Sequence, residues 1–179
     1  MRVTTRQMTT IGLLVGISVV FTRFLSPMLP IFGIQGLRIG FGPLPIMLAG
    51  LLMGPLAGGI TGALADFIGG ILFPAGPYFP GFTLSSATWG FLLPLLLRLF
   101  PEAKQRFWPL VAGVLVTSMV VSGLNTLWLT IMFERAFWVL LPTRLLTSLV
   151  QVPIHALILH YAVKGYSAYG GTASHQVSR

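Results

Sequence analysis

Apolar stretches alternate with short Pro/Gly-rich or charged interruptions along nearly the whole chain. Six runs stand out, at residues 8–25, 39–53, 56–73, 82–99, 107–133 and 141–163. A membrane-spanning helix needs about 20 predominantly apolar residues. The second run falls short of that and carries Pro43 and Pro45, and the third only approaches it. These two read either as short helices shielded by protein or as one long hairpin, so six spans is the reading adopted and five the alternative. Gly54-Pro55 breaks the chain between them, and three prolines between Pro74 and Gly81 exclude regular helix there. Residues 165–179 are small and polar and read as a disordered tail. The pattern predicts an all-α integral membrane protein: a compact bundle of six transmembrane helices forming a single domain over residues 1–164. No internal repeat is visible, which weakens an inverted-repeat carrier.

Composition turns that pattern into a statement about solvent. Hydrophobic residues make up 55% of the chain, charged residues 8%, and the mean hydropathy is +0.89. Soluble domains carry about 25% charged residues, so this chain has too few charges to solvate a globule and its outer surface faces lipid. The formal net charge of +8 is scattered and sits largely at the ends of apolar runs. It therefore reads as a topology signal and not as the clustered stripe of a nucleic-acid footprint. The first run lacks a small-residue cleavage site and leads into more membrane sequence, so it reads as a first span and not as a signal peptide.

Lysine and arginine set the expected orientation. With the N-terminus inside, Arg2, Arg6, Arg98, Lys104, Arg106, Lys164 and Arg179 fall on the cytoplasmic side, against Arg23, Arg38, Arg135 and Arg144 outside. Seven against four favours N-in and, for six helices, C-in. The outer arginines run against this trend. Arg23, Arg38 and Arg144 bring guanidinium groups from three helices to one membrane side, where Glu134 is the sole acid. They either snorkel to headgroup phosphates or bind an anionic ligand, above all a carboxylate held by a bidentate fork.

Other polar groups in apolar runs bear on the same side. Asp66 is a carboxylate at membrane depth, which is costly unless paired or hydrated. Gly54, Gly58 and Gly62 precede it at four-residue intervals, giving a face that neighbouring helices can approach closely. Asp66 thus points into the bundle, as a ligand contact, a partner for an outer arginine or a structural acceptor. The restricted loop from Phe73 to Thr83 offers Tyr78, Phe79 and Phe82 either to stack on a planar ligand or to anchor the interface. Asn125 and Trp128, three apart on one helix face, suit a heterocycle edge or interhelical hydrogen bonding. Gly12 and Gly16 form a small-x-x-x-small pair for close packing, internal or with a partner helix.

Several chemistries are excluded. There is no cysteine, so disulfides, thiolate metal sites and Cys nucleophiles are ruled out. Neither Lys104 nor Lys164 follows a glycine, so the phosphate-binding P-loop is absent. The three carboxylates include Glu102 and Glu134 in opposite loops, which argues against paired-carboxylate chemistry. His155 and His160 are five apart, off the spacing of a helical metal pair, and read as polar packing or interfacial residues. Ser85, Ser86 and Thr88 have no nearby His or acid in sequence to activate them.

Five blocks taken together resemble a known family. They are Leu37–Ile46 (LRIGFGPLPI), Gly54–Gly59 (GPLAGG), Ala65-Asp66, Gly76–Leu84 (GPYFPGFTL) and Asn125–Leu129 (NTLWL). In this order, over most of the chain, they look like the folate-specific S component of energy-coupling factor (ECF) vitamin transporters. The resemblance implies a six-helix, high-affinity vitamin-binding subunit of a bacterial cytoplasmic membrane. Such a subunit takes substrate from outside into a cavity closed by extracellular loops. It implies partners as well: a transmembrane coupling subunit and two ATPases, which would explain the missing P-loop. The family's helix-one Ala-x-x-x-Ala docking motif falls on Gly12 and Gly16, with glycine for alanine at both. Folate is the substrate and no cofactor is implied. Its planar pterin and dianionic glutamate tail suit Arg23, Arg38, Asp66, Tyr78, Phe79, Thr83, Asn125, Trp128 and Arg144 as contacts, with Arg23, Arg38 and Arg144 at the glutamate end. The alternatives are an S component for another vitamin such as thiamine, whose positive charge sits poorly among arginines, a stand-alone channel or secondary carrier, and a membrane enzyme.

Overall fold

The computed structural model describes residues 5–26, 28–31, 34–38, 40–74, 78–99, 107–133 and 137–169. Six helices follow in order: α1 (Thr5–Arg23), α2 (Pro43–Met53), α3 (Pro55–Leu72), α4 (Pro80–Arg98), α5 (Phe107–Phe133) and α6 (Phe137–Tyr169). Between α1 and α2 lies an antiparallel hairpin, β1 (Met28–Ile31) and β2 (Ile34–Arg38), with Met28 opposite Arg38. The helical bundle expected from the pattern is present, and this short hairpin is an addition to it. Six helices are present, and the two linker segments pair as strands because two extended segments side by side satisfy each other's backbone.

Element boundaries shift from the apolar runs where local chemistry intervenes. α2 begins at Pro43, not residue 39. α4 starts with Pro80, inside the segment expected to be irregular, because proline lacks only an N–H that has no partner in a helix's first turn. α6 continues to Tyr169, past residue 165, where a polar tail was expected to begin. Residues 170–179 lie outside the described residues. So do loop residues 75–77, Glu102, Lys104, Arg106, Glu134, Arg135 and the side chain of Arg38.

Four helices, α3 to α6, are long and apolar enough to cross a bilayer, while α1 and α2 contribute shorter apolar segments. α2 is the extreme case. Its 11 residues rise about 17 Å, well short of a hydrocarbon core of about 30 Å. It is tolerated because it is enclosed: Leu44, Pro45, Ile46, Met47, Ala49, Gly50 and Leu51 are all buried. Met47 and Leu51 belong to the main core with Leu93 and Leu97 of α4, Leu110 and Val114 of α5, and Val152, Ala156 and Leu159 of α6. A smaller cluster joins Val15 and Val19 of α1 to Ile46 and Ala65.

The break at Gly54 requires glycine, since its φ of 101° is closed to most side chains. Beyond it α3 runs along α4 with almost no space between backbones. A Cβ on Gly58 would strike the Gly90 carbonyl oxygen, and one on Gly62 would strike that of Ser86. Gly50 of α2 meets the same Gly90 oxygen. That oxygen lies four residues before Pro94, which has no N–H to offer it, so the glycine Cα–H groups stand where weak C–H···O contacts replace the missing bond. The predicted glycine face is thus used at Gly58 and Gly62.

Candidate functional site

Helix directions bring the end of α1, the start of α2, the end of α3, the start of α4, the end of α5 and the start of α6 to one end of the bundle. One turn past Gly62 the packed seam opens. A cavity of about 120 Å³ lies between α1, α2, α3 and α4, lined by Ser18, Val19, Thr22, Arg23, Gly42, Pro43, Ile46, Ala65, Asp66, Gly69, Ser86 and Trp89. It contains a cation and an anion. Arg23, the last residue of α1, lies along α3 at Gly69, where a Cβ would sit 3.7 Å from Nε. That Nε is buried and has no hydrogen-bond partner.

Asp66 faces the cavity from α3. Thr83 Oγ1, on the first turn of α4, donates to Asp66 Oδ2 at 2.8 Å. Thr83 has one hydrogen and spends it there, so the 2.7 Å contact with Tyr78 is a bond donated by the Tyr78 hydroxyl. A directed chain results, Tyr78 to Thr83 to Asp66, which orients the carboxylate from outside. The other carboxylate oxygen has no partner among the described residues. Tyr78 also stands edge-on to Phe67, with ring centroids 6.1 Å apart.

Phe79 and Trp128 form a neighbouring group. Their rings are 5.7 Å apart and tilted by 48°, and both press on Gly81, where a Cβ would come within 2.5 Å of each. Phe82 meets Phe79 edge-on at 6.2 Å. The Trp128 indole N–H donates to Ser85 Oγ at 3.0 Å, so its polar atom is already engaged by α4. Asn125, one turn earlier on α5, has a buried Oδ1 with no partner. Ser118, on the same face, has a buried and unpartnered hydroxyl. Arg144 is half-buried on α6 and lies outside the cavity lining. Its carbonyl accepts from Ser148 Oγ at 2.9 Å, and Ser148 in turn lies 2.7 Å from Ser122 of α5.

The structure therefore gathers Arg23 and Asp66 in one cavity and ties Tyr78 and Thr83 to it. Phe79, Asn125, Trp128 and Arg144 stand at the same bundle end, beside the cavity and outside its lining. Sequence reasoning did not single out Ser18, Thr22 or Trp89. Ser18 and Thr22 are four apart, so a search for polar pairs on one face of the first run would have found them. Trp89 follows Ser85 and Ser86 at helical spacing in the same way. Gly12 and Gly16 are exposed on α1, and a Cβ at either would meet nothing within 4 Å. Among the described residues no three metal-ligating side chains cluster.

Comparisons with known proteins agree on one kind of molecule. The family model described as "ECF transporter, substrate-specific component" matches residues 6–163. The folate transporter FolT of Clostridium novyi (strain NT) is 38% identical over 151 residues, 84% of each chain. The crystal structure of a FolT bound with folic acid superposes with a TM-score of 0.73 at 28% identity, covering 90% of this chain and 94% of that one. An S component for biotin shares the fold, with a TM-score of 0.64 at 21% identity over 93% of both chains.

Proposed function

The chain belongs to the substrate-specific components of ECF transporters, and on that premise we propose that it binds folate from outside and delivers it across the bacterial cytoplasmic membrane. It is a membrane protein and a transport subunit, not an enzyme. It acts with a transmembrane coupling subunit and two ATPases, which supply the hydrolysis this chain has no P-loop to perform. The N- and C-termini face the cytoplasm, which puts the Arg23–Asp66 end of the bundle outside. No cofactor is required.

The observation that carries the reading is the cavity holding a buried, unpartnered Arg23 Nε across from a pre-oriented Asp66 carboxylate. Its 120 Å³ is below the range of about 300–1,000 Å³ typical of whole drug-sized ligands, so it takes one end of folate. That end is the pterin. Asp66 accepts from the ring's amino and N–H edge, Arg23 donates to its oxo group, and Trp89 offers a flat wall. The glutamate carboxylates would meet the Asp66 charge at close range in a site of low dielectric, so they lie elsewhere, on the side of Asn125 and Arg144. Arg23 and Asp66 share one cavity, so they serve the same end of the ligand. This departs from the expectation that Arg23 binds the glutamate.

Gly12 and Gly16 present an open strip of α1 beside exposed Met8 and Leu13. This strip is the docking face for the coupling subunit. The test is titration of the purified protein with folate, pteroic acid and thiamine. Saturable binding of the first two and none of thiamine is expected, and absence of folate binding up to millimolar concentration would end the proposal. In liposomes, uptake requires the full module and ATP; flux through this chain alone would establish a carrier instead.

A further inference from the structure

Ahead of α2 the chain crosses the bundle interior: Gly42 is the helix N-cap and the Phe41 carbonyl accepts from Leu44 N–H, while the Gly40 carbonyl lies beyond the reach of the helix. Gly40, Phe41 and Gly42 precede Pro43, yet Gly40 touches His155, the middle residue of the apolar span Arg144–Tyr166. Non-helical backbone at that depth persists only where protein groups or a water-lined cavity satisfy its carbonyls. Two side chains hold this entry, one from α1 that adds a bond to the helix-capping Gly42 and one from α6 that satisfies Gly40. Ser18 Oγ, on α1, donates to the Gly42 carbonyl at 2.8 Å. His155 Nε2, on α6, lies 2.9 Å from the Gly40 carbonyl. A carbonyl can only accept, so Nε2 carries the imidazole hydrogen and Nδ1 is left as an acceptor.

That Nδ1 is buried with no partner, in a residue 0% exposed. An apolar side chain of this size would fill the site without an orphaned acceptor, so the Nε2 donor is the feature that histidine adds. The imidazole also stands edge-on to Trp89, with centroids 6.3 Å apart and planes at 78°. Gly42, Ser18 and Trp89 line the cavity, and His155 does not. His155 thus touches the segment that forms one side of the cavity and the aromatic wall of another.

We propose that His155 is a positioning residue for ligand binding: with Ser18 it clamps Gly40–Gly42 and steadies Trp89 in the arrangement that receives the planar ring. The inference rests on the folate reading above. Without the clamp, two glycines leave the segment many conformations, and the cavity is seldom in its binding form. Apparent affinity falls in proportion to the competent fraction.

The experiment uses the purified full-length protein as wild type, His155→Leu, His155→Gln and Ser18→Ala. Folate and pteroic acid affinities are measured beside ligand-free melting and amide exchange of the peptide covering residues 38–46. Gln places an amide N–H near the Nε2 position, whereas Leu only fills space. Losing one hydrogen bond to the cavity segment should weaken both ligands equally in His155→Leu, by about tenfold. His155→Gln should stay within about threefold of wild type. Exchange in 38–46 should accelerate in His155→Leu without ligand present. Ser18→Ala should reproduce these effects from the other wall, and it decides the matter if His155→Leu does not fold. Unchanged affinity in His155→Leu, equal losses for Leu and Gln, or a larger loss for folate than for pteroic acid would each overturn the clamp. If the wild type binds no folate, the functional reading fails, and the exchange comparison still decides whether the clamp exists.

Discussion

Helices α3 and α4 meet twice, and the two meetings are built oppositely. Along Gly58, Gly62 and Gly90 their backbones touch, with Gly50 of α2 filling the remaining side. One turn further, Asp66, Ser86 and Trp89 hold the same helices around a cavity that also contains Arg23. At the seam, nothing but glycine fits and every surface is covered. At the cavity, polar atoms remain without partners. The seam acts as a fulcrum: backbone contact at one point fixes the helix axes, so that side chains one turn away determine a hollow. In lipid, where apolar surface gives helices no reason to associate, close packing of small residues supplies much of the adhesion.

The largest effect is expected at the seam. Gly58→Val places a branched side chain against the Gly90 carbonyl, where the opposing atoms are backbone and cannot rotate away. The cost should exceed the roughly 1–3 kcal/mol of ordinary overpacking, and size-exclusion chromatography should show no monodisperse protein. A folded variant with unaltered melting would disprove the fulcrum.

At the cavity, Arg23→Ala should leave melting nearly unchanged and weaken folate and pteroic acid alike. A charged hydrogen bond contributes about 1.5–3 kcal/mol, roughly tenfold to a hundredfold in Kd. A loss confined to folate would move Arg23 back to the glutamate. Arg144→Ala supplies the contrast: folate affinity should drop about tenfold and pteroic acid affinity hardly at all. Trp128→Phe keeps the ring against Phe79 and Gly81 and removes the bond to Ser85, so a change of about 1 kcal/mol or less in folate binding is expected. Smallest of all, Gly12→Leu on the open face of α1 should not alter folate affinity. It should reduce co-purification of the coupling module, and full assembly with that variant would displace the docking face.

Much of the scaffold could be read from the chain. The 107–133 run became α5 with the same limits, because an uninterrupted apolar stretch in lipid has few ways to satisfy its backbone other than helix. The Gly54 break and the close-packing glycines followed from the conformational range of glycine and from four-residue spacing. The hairpin at Met28–Arg38 escaped notice because its apolar residues look, by composition, like a continuation of membrane sequence. Among candidate site residues, Asp66 stood out as a charge in the wrong solvent. Trp89 did not, since an aromatic in an apolar run is ordinary until its neighbours are known. His155 was read as polar packing, and its bond to Gly40 spans 115 positions of sequence.

The sequence by itself determined the solvent, the apolar runs that become helices and the end of the bundle to which most polar side chains belong, because hydropathy and helical period are local properties. Tertiary structure decided that Arg23 and Asp66 share a cavity, that Trp128 gives its N–H to Ser85, and that α2 survives though too short to span. Each of these depends on which helix lies against which. A single helix fixes the direction of a side chain about its own axis, and its neighbours then decide whether that side chain meets a partner, a cavity or lipid.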